Sequence, residues 1–142
     1  MPAPVADAIC SAEEVVLYSL EPGPLTEAAV DSALPAGQFH GHQILGQVSI
    51  TGTADRKRLF AALRQGVEDH DGSVAACFIP HHGVRLRFGS RTVDLVVCFQ
   101  CAQVKMFVEG KPTDSFLVST SPRPVFNDLL DRAKVPVSAK GR

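Results

Sequence analysis

The chain contains no tryptophan, a single tyrosine (Tyr18) and no block of basic residues. The scarcity of large aromatics leaves no platform on which single-stranded nucleic acid would stack. The even charge leaves no electrostatic footprint for a phosphate backbone: 14 basic residues stand against 15 acidic ones, a formal charge of −1. Nucleic-acid binding is therefore not expected. No apolar run approaches the roughly 20 residues that a helix needs to cross a bilayer, so no membrane span is expected either. The opening residues, MPAPVADAICSAEE, lack the basic start and apolar stretch of a signal peptide. As written the chain reads as cytoplasmic, with export open if a leader has been removed. Asp7 stands where a lipoprotein signal needs an apolar residue before Cys10, which argues against a lipid anchor. Four cysteines in 142 residues are too few for a scaffold built on disulfides. There is no P-loop, dinucleotide fingerprint, GxSxG or HExxH.

What is present is ordinary for a soluble globular chain, 45% apolar and 20% charged, and long enough for one core. Residues 1–12 read as a flexible start in which Cys10 is an isolated thiol, 13–137 as a single domain and 138–142 as a polar tail. Val15–Leu20 reads as a strand, ended by Glu21-Pro22-Gly23-Pro24 because proline has no amide proton to give. A long connection follows, with a helical turn expected over Leu25–Ala33. After Phe39-His40-Gly41-His42, Gln43–Thr51 reads as a second strand. Thr53–His70 reads as a helix, with Leu59, Leu63 and Val67 on one face, Thr53 as N-cap and Asp55 suited to the dipole of the first turn.

Strands are then expected at Ser73–Ile79, Gly83–Phe88, Thr92–Val108 and Ser115–Thr120. Gly89-Ser90 and Glu109-Gly110-Lys111-Pro112 mark turns, and connections this short imply antiparallel neighbours. Ser121 and Pro122 open a last helix that buries Val125, Phe126, Leu129 and Leu130. The expected fold class is α+β: a single antiparallel sheet of about six strands packed by a central helix (53–70) and a C-terminal helix (122–134).

Thr92–Gly110 changes phase. The odd positions Val93, Leu95, Val97 and Phe99 are apolar, and then the even positions Ala102, Val104, Met106 and Val108 take over. A strand has a side-chain period of two, so the buried face changes parity only at a bulge or a turn. The change falls inside Cys98-Phe99-Gln100-Cys101. On an unbroken strand those two Cα atoms would be about 10 Å apart, beyond the roughly 7 Å limit for a disulfide. A kink there would bring the two sulfurs to one side.

A second chemical segment, Cys77-Phe78-Ile79-Pro80-His81-His82-Gly83, sets a cysteine and two histidines in a loop. Cys77, His82, Cys98 and Cys101 would supply three sulfurs and an imidazole, a set that suits zinc or another thiophilic metal. His81, His40 and His42 are further candidates, the last two because residues two apart on an extended chain face the same way. Arg85 and Arg87 would share the cysteine face as contacts for an anion or ligand. They would also lower the pKa of nearby thiols, which opens a redox reading. The bland alternative is that the cysteines are small core residues of a protein-interaction module. A cysteine nucleophile lacks an identifiable orienting acid beyond Asp94.

Together, C-F-I-P-H-H-G and T-V-D-L-V-V-C-F-Q-C resemble a group of small bacterial proteins of unassigned function with a Cys-x-x-Pro-x-His-Gly loop and a V-D-L-x-x-C-F-x-C strand. The resemblance runs from about Val15 to Val137. It implies a bacterial source and points to His82 rather than His81, and it brings no reaction with it. The leading expectation is a small non-enzymatic protein whose Cys/His site binds a metal, with an interaction module and a thiol-redox protein as alternatives. The identity of a protein partner and the oligomeric state are not legible.

Overall fold

The computed structural model describes residues 11–21, 37–75, 78–138 and 141. The strands are β1 (Glu14–Glu21), β2 (Gln38–Phe39), β3 (His42–Ser49), β4 (His82–Phe88), β5 (Arg91–Cys98), β6 (Gln103–Val108) and β7 (Lys111–Leu117). Among the described residues, two helices are complete: α1 (Thr53–Asp69), between β3 and β4, and α2 (Arg123–Arg132), after β7. All seven strands form one antiparallel sheet in the order β2-β3-β1-β4-β5-β6-β7.

Tight turns fix the registers. Gly89-Ser90 joins β4 to β5 with Phe88 opposite Arg91, as its composition predicts. Glu109 and Gly110 join β6 to β7, and His40 and Gly41 join β2 to β3; all four residues have positive φ. Positive φ at both central residues is what a two-residue turn needs to match the twist of its strands.

One sheet face carries Val15, Leu17, Val84, Leu86, Leu95, Val97 and Val104 and packs against Leu59 and Leu63 of α1 and Phe126, Leu129 and Leu130 of α2. Burial of this face is the main force holding the helices down. The opposite face carries a smaller cluster of Val16, Tyr18, Leu20, Phe39 and Val96, with Ile44, Phe78 and Phe107 at its margin. Phe39 lies directly on the β4 backbone: a Cβ at Gly83 would meet its ring at 2.6 Å. The edge hairpin β2–β3 therefore folds inward over this face.

The α+β, sheet-rich class agrees with the sequence reading, and the strand count differs for physical reasons. Ser73–Ile79 alternates like a strand, yet its described residues pair with none. Both sides of β4 and of β5 are already taken by neighbouring strands, and the described residues of this segment make isolated bonds such as Ala75 N to Cys101 O at 3.1 Å. Thr92–Val108 is not one slipped strand but the hairpin β5–β6. Each odd position of β5 pairs with an even position of β6, Val97 with Val104 and Leu95 with Met106, and that pairing is the origin of the parity change. The strand expected at Ser115–Thr120 lies earlier, at Lys111–Leu117.

Helix starts also shift by one residue. Gly52 rather than Thr53 caps α1, and Pro122 rather than Ser121 caps α2. Ser121 instead pairs with Ser119, Oγ to Oγ at 2.9 Å. The Arg-Lys-Arg run of α1 is partly spent on structure. Arg56 donates to the carbonyls of Ile50, Ala12 and Glu13, and Arg58 pairs with Asp128 of α2. Ala12 and Gly141 are both buried, so the packed unit extends into both expected tails. The helical turn expected over Leu25–Ala33 lies outside the described residues.

Gly66 gives a test in which two effects oppose. In a helix interior Gly→Ala ordinarily gains about 1 kcal/mol. Here the added Cβ would lie 2.4 Å from Pro122 Cγ and 2.9 Å from Val118 Cγ2, an overlap of the kind that costs about 1–3 kcal/mol. Gly66→Ala is expected to lower stability by about 1 kcal/mol net on urea denaturation; an increase would show that α1 is not seated on the 118–122 segment.

Candidate functional site

Cys98 ends β5, and the chain turns through Phe99–Ala102 before β6 begins at Gln103. Ala102 takes a positive φ of 58° to complete the turn. The turn brings the two Cα atoms to 5.2 Å, and Cys98 and Cys101 are joined by a disulfide. The expected tight turn and the shared side of the two sulfurs are both present.

Backbone groups surround the pair. The Cys101 amide donates to Cys98 Sγ at 3.0 Å and the Ile79 amide to Cys101 Sγ at 3.2 Å. The Ile79 carbonyl oxygen lies 3.2 Å from Cys98 Sγ, where it would accept the proton of a reduced Cys98 thiol. Both cysteines are buried, at 0% and 1% exposure.

His82 is not part of this group. It shares its parity with Val84 and Leu86 and faces the helices, whereas Cys98 shares parity with Asp94 and Val96. Its ring meets Phe99 and Phe126 edge-on, at 5.2 and 5.7 Å between centroids. Its tautomer follows from its neighbours. Asn127 Nδ2 donates to the Gly141 carbonyl at 3.1 Å, which leaves Asn127 Oδ1 to accept from His82 Nε2 at 2.7 Å. The proton is therefore on Nε2, and Nδ1 is a buried lone pair without a hydrogen-bond partner. His81 is also buried, with Gly141 against its ring.

A second polar group lies across the sheet from His82, beneath the β2–β3 turn. Asp94 Oδ1 accepts from Arg85 Nε at 2.8 Å, and Oδ2 accepts from Arg85 Nη2 at 2.9 Å and lies 2.7 Å from His40 Nε2. The His40 ring stacks on Phe107 at 3.9 Å and stands edge-on to Phe39. Burial disfavours the Asp94 charge, but the bonds from His40 and Arg85 and the Arg85 charge together outweigh it and hold the carboxyl below its ordinary pKa. The same contact raises the Arg85 pKa. Tyr18 is pushed up by burial, with Asp94 and Glu14 adding and Arg85 opposing. Burial, followed by the charges of Lys105 and His40, lowers the pKa of His42.

His40 and His42 are not on one extended strand as expected, because the chain reverses at His40-Gly41 and His42 pairs with Phe39. Arg85 and Arg87 share a strand next to β5 as expected, but neither serves the sulfurs: Arg85 is held by Asp94, and Arg87 pairs with Glu14 at 2.7 Å. Cys77 lies outside the described residues. Among the described residues no group of three or more His, Cys, Asp and Glu is placed to hold a metal ion.

Asp94 as the centre of an ion cluster, and Asn127 as the partner of His82, were not found from sequence. His40 and Asp94 are 54 positions apart, and His82 and Asn127 are 45 apart; only the tertiary fold joins them. No family profile, curated protein or solved structure matches the chain.

The buried His82 sets a pH dependence. Burial lowers its pKa from 6.5 to about 4; the Asn127 bond is the next largest effect and opposes it, and the charges of His81 and Arg123 add smaller lowering contributions. Between those values the unfolded chain binds a proton that the folded chain does not. Its contribution is complete above pH 6.5 and is lost as the pH falls towards 4, by about 3 kcal/mol. His82→Gln is expected to remove about one proton from the slope of stability against pH in this window, measured by urea denaturation at a series of pH values; an unchanged slope would show that His82 is already charged in the fold.

Proposed function

We propose that this is a thiol–disulfide redox protein whose working group is the Cys98–Cys101 pair. The observation that carries this reading is the immediate surroundings of the two sulfurs: each accepts a backbone N–H, and the Ile79 carbonyl oxygen is placed to accept a hydrogen bond from the Cys98 thiol once the bond is broken. The N–H bonds donated to the sulfurs favour the thiolate, the form that reacts, whereas the Ile79 carbonyl favours the Cys98 thiol.

Loop size supports a chemical over a stapling role. Closing a loop of four residues removes little freedom from the unfolded chain, roughly 2 kcal/mol on the chain-entropy scale, against about 4.7 for a 100-residue loop. The β5–β6 ladder already holds this turn closed. In the reaction the bond takes up two electrons and two protons from a reductant, and an oxidant reverses the step.

The reduced pair also supports the metal reading. Two thiolates backed by N–H donors suit zinc. His82 cannot be the fourth donor without leaving the helix-facing core.

Both readings are testable on one preparation. Under native conditions a dithiol reductant is expected to free two cysteines for alkylation in the wild type, fully reversed by oxidised glutathione, and neither Cys98→Ser nor Cys101→Ser should show that reversible pair. If the native pair stays unlabelled while urea-unfolded protein is labelled, the bond is structural and the redox reading fails. Equimolar zinc retained by the reduced wild type through gel filtration, and lost in both variants, would instead favour the metal reading.

A further inference from the structure

We infer that the reductant of the Cys98–Cys101 pair is a low-molecular-weight thiol and not a protein dithiol. The inference rests on the redox reading and asks which thiols reach the bond.

Exchange is an in-line displacement: the attacking thiolate, the attacked sulfur and the leaving sulfur lie on one axis. Every direction along that axis is covered. Cys98 is 0% and Cys101 1% exposed, and Phe99 between them is 3% exposed. On the helix side Phe99 packs against Phe126 and His82. On the other side the Ile79 backbone lies over both sulfurs.

Some opening must precede any attack, and its size depends on the attacker. A small thiol needs a breach the width of one sulfur and its substituents. A protein dithiol must bring its own surface to the bond, so the whole turn has to rise from the sheet. The turn is pinned on three sides against that movement. Cys98 pairs with Gln103, Ala75 N donates to Cys101 O at 3.1 Å, and Val118 N donates to Ala102 O at 3.0 Å. Larger openings are rarer in a packed structure, so the rate falls steeply with attacker size.

The steps balance without a further co-reactant. One small thiolate attacks either sulfur, the S–S bond breaks, and a mixed disulfide and a cysteine thiolate form. A second small thiolate attacks the small-molecule sulfur of the mixed disulfide and leaves as a symmetrical disulfide. The protein retains the dithiol, having gained two electrons.

The test compares reductants on the oxidised full chain by timed alkylation and mass spectrometry. Reduced glutathione, dithiothreitol, and thioredoxin kept reduced by its reductase are used at matched thiol concentrations. Both small thiols are expected to reduce the pair, with thioredoxin slower than dithiothreitol. A thioredoxin rate equal to or above that of dithiothreitol overturns the inference and leaves the redox reading standing. No reduction by any of the three in the native state, with prompt reduction in urea, overturns the redox reading itself and the inference with it.

Discussion

The polar organisation of this fold depends on one buried charge. Asp94 sits on a central strand at 2% exposure, where an isolated carboxylate would be strongly disfavoured. It is tolerated because Arg85 grips both its oxygens from β4 and His40 approaches from the β2–β3 turn. The same contact gives the edge hairpin a reason to fold inward. Phe39 and His40 then cover Tyr18, Gly83 and Phe107, which would otherwise be exposed apolar surface. Charge pairing and apolar burial act on the same short turn, so neither is replaceable alone: loss of the carboxylate would strand Arg85, and loss of the hairpin would strand the carboxylate.

The sheet separates two kinds of chemistry. Asp94, Val96 and Cys98 follow one another along one side of β5, so the ion cluster in mid-strand and the disulfide at the strand's end share a face. His82 lies on the other side, in the apolar layer under the helices. The sequence brings His82 and Cys98 together by counting donors, and the pleat divides them. A donor set assembled from composition alone takes no account of this twofold alternation.

Local features were legible in the chain. The leucine spacing of α1, the glycine turns and the change of parity at the CxxC are all nearest-neighbour effects, and each is present in the fold at or within a residue or two of its expected place. The misreadings have a common physical cause. Ser73–Ile79 has the pattern of a strand, and only the sheet order shows that both sides of β4 and of β5 are already taken. Thr92–Val108 looks like one strand with a slip because a hairpin and a bulge give the same switch of parity. His40 looks like a strand residue because histidine is not a typical turn former, although the following Gly41 supplies half of the required geometry. The Asp94 cluster joins residues from three separate strands and turns, and no local pattern encodes such a meeting.

The strand order has a consequence for how the molecule assembles. β4, β5, β6 and β7 form an unbroken meander joined by short turns, whereas β1 must come from the start of the chain to pair with both β3 and β4. Contacts between sequence neighbours close with less loss of chain entropy than distant ones. The meander is thus favoured to form ahead of the β1 pairings, and it already contains both halves of the Cys98–Cys101 turn. The sulfurs can meet while the helices and the residues around Ile79 are still undocked, at a stage when solvent oxidants have free access to them. Local pairing alone thus brings Cys98 and Cys101 together, and docking of the helices and of Ile79 is what buries them.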